Sequence, residues 1–420
     1  MRPGARLTQL LRDTGGNVLI LSAFGMTALV GAAGMATDTI QWTLWKRQLQ
    51  RSADSAALAG ALVNMQGGSA TGAATTEIGR YTSIGLFQTS ATPTIEVSPT
   101  SGPFAGDARA VRVVVETSQT LPFSSFFMRT TPVIRAEATA AAISFGDYCV
   151  RSLEPGTSTG IILQGSAVVN LGCGMHTNSQ GSPAVTAGGS STVTASPVSA
   201  VGAIPSSASY AAGTVLQPYS LRQSDPLSGL PEPVVPNTCS NRINVGPNGT
   251  AQVNPGCYRG IDIQGTVTFQ PGTYIIDGDF DLGSQANVSG SGVTFILTSS
   301  QATTNPSLIG NVTINGGAHL DLTAQETGTY AGVLFYQDRR APDAGGNANI
   351  INGNASSILR GSVYMPSQQV NFLGTSGMTT TCFYLIARRV QFSGNSAIDN
   401  VCNVNWGMPD LTGVQVRLVN

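Results

Sequence analysis

In the stretch "IIDGDFDLG" the carboxylates Asp277, Asp279 and Asp281 alternate along the chain. On a strand, side chains two residues apart share a face, so all three are expected to point the same way. Three carboxylates on one face repel one another unless water or a cation screens them, and calcium favours such oxygen ligands. A solvated outer face and a calcium site are therefore the two readings, and no other cofactor is expected. A second charged group lies in "YQDRRAPDAGG", Tyr336 to Gly346, which reads as a projecting loop. There Asp338, Arg339 and Arg340 either bind a sugar or a partner protein, or pair with each other. The chain has two histidines, His176 and His319, which would have to meet to share a metal. His176, in "CGMHTNS", reads as a turn residue rather than a base. Serine is abundant, yet abundance alone names no nucleophile. Lys46 is the only lysine, so the C-terminal part holds no amine for Schiff-base chemistry. Catalysis finds no positive signal, and the chain is expected not to be an enzyme.

The cysteines carry the other chemistry. All six, Cys149, Cys173, Cys239, Cys257, Cys382 and Cys402, follow the N-terminal apolar segment, and none forms a CxxC pair. That pattern argues against zinc or thioredoxin chemistry and for disulfides in an oxidising compartment.

The elements that must position these groups follow from composition. The chain has 420 residues, with only 10% charged and 50 glycines, and a mean hydropathy of +0.10. A body so turn-rich and so low in charge is expected to be mainly β. The net charge of −1 and the lack of a basic cluster argue against nucleic acid as a partner.

No charged residue occurs from Thr14 to Thr37, about the length that crosses a bilayer as a helix. Beyond it Ile40, Leu44, Leu49, Ala53, Ala56, Ala57 and Ala61 continue as a helical stripe, and no proline intervenes between Pro3 and Pro93. Trp42 and Trp45 fall where an interfacial aromatic belt would sit. Gly34 and Ala36 have signal-peptidase spacing, but one long helix that stays as an anchor accounts for the whole pattern better. Arg2, Arg6 and Arg12 before the run nearly balance Lys46, Arg47 and Arg51 after it, so the cysteines decide orientation: residues 1–16 cytoplasmic, the rest outside. Asp38 marks the interface or pairs with a basic residue of a partner.

The expected organisation is an anchor continuing as an amphipathic helix over 17–66, a small α+β unit over 67–145, and a β body over 146–420. "GGSATGAA", Gly67 to Ala74, reads as a linker, Glu77 to Phe87 as helical, and "ARAVRVVVET" as a half-buried strand.

The stretch "RDTGGNVLILSAFGMTALVGAAGMATDTIQWTLWKRQLQRSADSAALAGA" resembles the N-terminal module of TadG-like proteins of the Tad (tight adherence, Flp pilus) assembly system. Gly16-Asn17 opens the apolar run, Asp38 closes it, and Leu49-Gln50 precedes "ADSAALAGA". "ARAVRVVVETSQTLPFSSFFMRTTPVIRAEATAAA" resembles the same family. The resemblance covers about the first third of the chain. It implies other Tad assembly proteins as partners and a bacterial inner-membrane location. The chain departs in one respect from the related pseudopilins, which carry a glutamate soon after the processing glycine. Here Gly16 is followed by "NVLIL" and no acid until Asp38. A new N-terminal amine would find no carboxylate, which argues against prepilin processing and packing as a repeating pilus subunit.

After Gly146 short apolar segments recur between Gly, Asn and Ser turns, as in "GIDIQGTVTFQPGTYIIDGDFDL" and "GNVTINGGAHLDLTA". Their irregular spacing of roughly 20 residues suits a parallel β-helix, a β-solenoid in which each coil buries its apolar face on the next. A Greek-key β-sandwich is the alternative. A Pro/Ser-rich excursion near 203–238 interrupts the repeat.

Two function classes follow: a non-enzymatic, membrane-anchored component of Flp/Tad pilus assembly or surface adhesion, and an anchored carbohydrate-binding or polysaccharide-active β-helix protein. Connectivity among six cysteines is open to 15 pairings. Their positions fall into three couples, Cys149 with Cys173, Cys239 with Cys257, and Cys382 with Cys402, each within about one coil. Non-reducing peptide mapping should return these three local disulfides and no free thiol. A Cys149–Cys402 link would refute the local pairing.

Overall fold

The computed structural model describes residues 16–83, 88–345, 349–354, 356–373, 378–394, 397–400 and 412–419. Contacts divide the chain into two compact units, Met1–Ile143 with Gln415–Asn420, and Ser144–Val414.

In the first unit the apolar run opens one helix, α1 (Gly16–Met65). Its early part carries no protein against it: Ile20, Leu21, Phe24, Leu29 and Val30 are exposed. The hydroxyls there turn inward, Thr27 Oγ1 donating to the Ala23 carbonyl at 2.8 Å and Thr37 Oγ1 to that of Ala33 at 2.9 Å. Such back-bonding satisfies a hydroxyl where no water is at hand. Further along, Leu49, Ala53, Ala56, Ala57 and Ala61 form a buried stripe at helical spacing. They pack on α2 (Ala70–Ser83), through Ala74 and Ile78, and on a three-stranded antiparallel sheet. Its strands are β1 (Thr94–Val97), β2 (Ala110–Ser118) and β3 (Val133–Ser152), with β2 in the middle. Small alanines let the helix lie close to Val111, Val113 and Val115.

One reading changes here. The expected linker Gly67–Ala74 is mostly helix, because Ser69 Oγ accepts the Gly72 amide at 3.1 Å and caps α2 early. The expected Glu77–Phe87 helix is helical over Glu77–Ser83, and residues 84–87 lie outside the described ones.

The second unit is a large, mainly β body. Every pairing described between its strands is parallel, which a Greek-key sandwich is not. Most strands pair with the one three positions later, and the long strand Ile358–Phe372 pairs with three of them in turn, so three ladders run through the body. In the first ladder Ile263, Leu282 and Ile314 lie in register, and Ile351, Phe372, Phe392 and Leu163 continue the row. In the second, Val267, Val288 and Leu320 do the same. In the third, Tyr274, Phe295, Phe335, Val363, Leu385, Val150 and Met175 follow one another. All of these side chains are buried and belong to one apolar core.

The order along the ladders is not the order along the chain. The C-terminal strand Met378–Phe392 is flanked on one side by Ile358–Phe372 and on the other by β3 and Ile161–Leu163. The strand Met378–Phe392 is therefore not a ladder end. Position 402 lies outside the described residues, and so does the expected Cys382–Cys402 couple. The join is reinforced by polar bonds. Leu153 N donates to the Ala387 carbonyl, and Ser152 Oγ to that of Arg388, both at 2.8 Å. Glu154, 2% exposed, accepts from Arg388 Nε at 3.0 Å and Arg389 Nη1 at 2.8 Å.

Part of the expected excursion stays in the ladders: Leu216–Gln217 pairs with Val198–Ala200, and Tyr210 bridges to Val193. From about residue 218 to Cys239 the chain runs as a strap across the outside of the third ladder. Its Leu227 packs on Ile296, Tyr336, Tyr364 and Ile386, which is why those outward-facing residues are buried. The strands Val293–Thr298 and Val333–Gln337 are thus buried throughout and read as near-continuous apolar runs.

Removing a carboxylate from a buried ion pair strands the partner charges, at about 3–5 kcal/mol. Glu154→Ala should therefore lower stability by about 3 kcal/mol, less if Asp343 retains Arg389. The exposed control Val215→Ala should stay within about 0.5 kcal/mol. Urea unfolding of the detergent-solubilised chain, followed by circular dichroism, would measure both.

Candidate functional site

Three groups of polar side chains bear on function: under the strap, along the aspartate row, and at one turn of α1.

Under the strap, the third ladder presents Arg151, His176 and Ser199 at successive positions of its outer face. Ser199 Oγ lies 2.7 Å from His176 Nδ1, and Asn178 Oδ1 lies 3.0 Å from His176 Nε2. The row resembles a nucleophile, base and orienting group, but its chemistry is different. His176 and Ser199 are fully buried, and Ser199 Oγ also donates to the Tyr148 hydroxyl at 3.0 Å. Burial pushes the His176 imidazole down to about 3, with Arg151 adding to the effect, so it is neutral at ordinary pH. Asn178 is held by the strap: its Nδ2 donates to the Gln223 carbonyl and its Oδ1 accepts the Gln223 amide, both at 2.8 Å. Arg151, lowered to about 10 by burial, donates to the Ser224 carbonyl at 3.0 Å. His176 is thus a buried strand residue within Gly174–Thr177 and not a turn residue. His319 is on the second ladder beside Ser356, and the two histidines share no partner.

Further along, Arg339 and Arg340 grip the same strap. Arg339 lies over the Tyr336 and Tyr364 rings, 5.7 and 5.4 Å from their centroids. It donates to the Tyr364 hydroxyl at 2.7 Å and to the Leu227 and Leu230 carbonyls. Tyr364 in turn donates to Asp225 of the strap at 2.6 Å. Asp338 is fully buried and takes a bidentate pair from Arg340, with Thr298 Oγ1 donating at 2.7 Å. Burial alone would raise its carboxyl, but these bonds outweigh it and hold the group below the usual carboxylate range. The stretch from Tyr336 to Arg340 is therefore no projecting loop: it begins in the strand Val333–Gln337 and turns its charges onto the strap.

The three aspartates do not share one strand face. One strand ends at Asp277, the chain turns at Gly278 with φ of 144°, and the next strand begins at Phe280. Asp277 accepts the Ser300 amide at 3.1 Å and Asp279 the Asn311 amide at 2.9 Å. Asp281 faces Asp262 in the ladder, and Arg242 bridges them at 2.9 and 3.9 Å. Burial, with Asp279 adding to it, raises the Asp281 carboxyl, and Arg242 opposes the rise. Among the described residues no group of three or more His, Cys, Asp or Glu side chains is placed to hold a metal.

Two cysteine couples are disulfides. Cys149–Cys173, Cα atoms 5.9 Å apart, ties β3 to the chain just before the neighbouring strand. Cys239–Cys257, 4.7 Å apart, fastens the end of the strap to the strand Gly256–Tyr258.

At α1, Asp38 is 3% exposed and accepts hydrogen bonds from Phe123 N, at 3.1 Å, and from the amide and hydroxyl of Ser124. Among the described residues its partners are thus two loop amides and a serine hydroxyl, and no basic side chain. The signal in the sequence was the first charge after an apolar run; that an uncharged segment some 85 residues on would meet it was not legible.

A family model described as "Putative Flp pilus-assembly TadE/G-like" matches residues 16–64, all but the last residue of α1. No curated protein and no solved structure matches the chain.

His176 generates a pH test. Its folded value near 3 lies below the unfolded 6.5, so between those values the unfolded chain binds more protons. Stability should fall as pH drops below 6.5, by up to about 1.4 kcal/mol per unit from this group. In His176→Gln that part of the slope should vanish from urea midpoints measured between pH 7 and pH 4.5.

Proposed function

Residues 16–64 form a TadE/G-like module, and from that premise we propose that this chain is a non-enzymatic, membrane-anchored component of a Flp (Tad) pilus-assembly apparatus. The observation that carries the reading is the coincidence of the module with α1, whose most apolar window has a mean hydropathy of 1.6 and no buried residue. A helix with no protein around such a surface is suited to lipid. On this reading α1 crosses the inner membrane once, and the β body stands on the oxidising side, where the two disulfides among its described residues persist.

The body is then a three-sided parallel β-helix. Supporting this are the three parallel ladders and the recurrence of most pairings at the third strand on. Such a body offers a rigid surface for other pilus-assembly proteins or for the cell surface. A polysaccharide-active role has no observation in its favour: Asp277 and Asp279 bond turn amides, while Asp281 and Asp338 bond arginines. Calcium, if bound, would have to displace those partners.

The protein should stay with membranes through carbonate extraction and keep its N-terminal segment. Leu29→Arg should hinder insertion by about 3 kcal/mol on translocon-type scales. Crosslinking from membranes should return Tad-system proteins, and glycan screens should show no turnover. A carbonate-soluble chain, or turnover lost on substituting Asp279, would refute the proposal.

A further inference from the structure

Beside the anchor, the connection between β2 and β3 carries a second apolar surface. From Thr117 to Met128 it contains no charged residue. Phe126 and Phe127 are 84% and 76% exposed, and Met128 is also exposed. Two contacts fix this loop to α1. The Phe123 ring lies directly on the helix at Gly34, where an added Cβ would be 2.3 Å from Phe123 Cδ2. One turn on, Asp38 holds the Phe123 and Ser124 amides and the Ser124 hydroxyl.

These contacts set the height of the loop on the helix. Gly34 lies inside the uncharged run Thr14–Thr37, and Asp38 is the first charge after it. A carboxylate at a membrane boundary is costly unless donors meet it, and the loop supplies three. We propose that Phe126, Phe127 and Met128 form a second membrane contact, entering the interfacial layer of the same bilayer that α1 crosses. The proposal rests on α1 being inserted. Lipid is the occupant because the loop is seated on the apolar run, beside a helix whose Val30 and Met35 are also uncovered. Aromatic side chains favour that layer, and the exposed Arg129 that follows can reach lipid phosphates.

The test uses the full chain in nanodiscs of phosphatidylethanolamine and phosphatidylglycerol. Phe126→Trp and Leu29→Trp would each be placed in a chain whose Trp42, Trp45 and Trp406 are changed to Phe. The proposal expects the indole emission of the Phe126→Trp chain to be quenched by lipid spin-labelled near the headgroup and shielded from aqueous acrylamide. The Leu29→Trp chain should respond instead to deep-labelled lipid. Adding Gly34→Leu, which displaces Phe123, should abolish the quenching at position 126. If position 29 is quenched and position 126 is open to acrylamide, the loop proposal falls and the anchor stands. If shielding at 126 appears only when other pilus-assembly proteins are added, the occupant is protein and the proposal also falls. If position 29 is not quenched either, the anchoring reading fails and this inference with it. Hydroxyl-radical footprinting of the unmodified chain in the same discs gives an independent reading. Phe126, Phe127 and Met128 should be protected while exposed Tyr219 is modified, and modification equal to that of Tyr219 would overturn the proposal.

Discussion

The pairing of Val150 with Leu385 is the contact on which the β body depends. It brings the first strand of the body against its last long one, so the ladders are continuous only when both are in place. Loop closure over such a separation is entropically costly, though the cost grows slowly with length. Buried bonds around the pairing offset it: the Ser152 and Leu153 bonds to the neighbouring backbone, and Glu154 between two arginines. On the other side of β3 the Cys149–Cys173 disulfide holds the next strand. Covalent and polar bonds thus lie on both sides of one apolar row.

The strap follows from that arrangement. A chain that has built strands up to Gln217 must travel back along the ladders before starting again at Ile243. The outer face it crosses is aromatic at one end, through Tyr336 and Tyr364, and polar at the other, through Arg151, His176 and Asn178. At the polar end, side chains replace the strand partner that the strap backbone lacks. At the aromatic end, Leu227 supplies apolar burial and Arg339 spans two rings and two carbonyls. Most charges in this region bind the chain to itself, which is why the groups with the strongest electrostatic environments are not open to a substrate.

In the first unit one helix meets two requirements in succession. Its early part turns the hydroxyls of Thr27 and Thr37 onto its own carbonyls. Its later part uses alanine and Gly60 to bring a sheet close, Gly60 lying where a Cβ would meet Val111 at 3.0 Å. Asp38 stands between the two regimes and is satisfied by backbone donors.

Much was legible in the sequence. Periodicity alone marked α1, because a charge-free run followed by an alanine stripe has one favourable conformation. It also marked the short strands, since apolar residues two apart between Gly and Asn turns suit them, but their parallel pairing, as against a Greek-key arrangement, was decided only in the tertiary structure. The Cys149–Cys173 and Cys239–Cys257 couples could be read because local spacing limits which thiols meet. What tertiary structure alone decided were contacts between residues far apart in the chain. Asp277, Asp279 and Asp281 looked like one face until Gly278 broke the strand and gave each a separate partner. His176 looked like a turn residue because nothing in "CGMHTNS" announces a strap that buries it. Asp38 and Phe123, or Glu154 and Arg389, carry no mutual signal in sequence, since a hydrogen bond depends on distance in space and leaves no period along the chain.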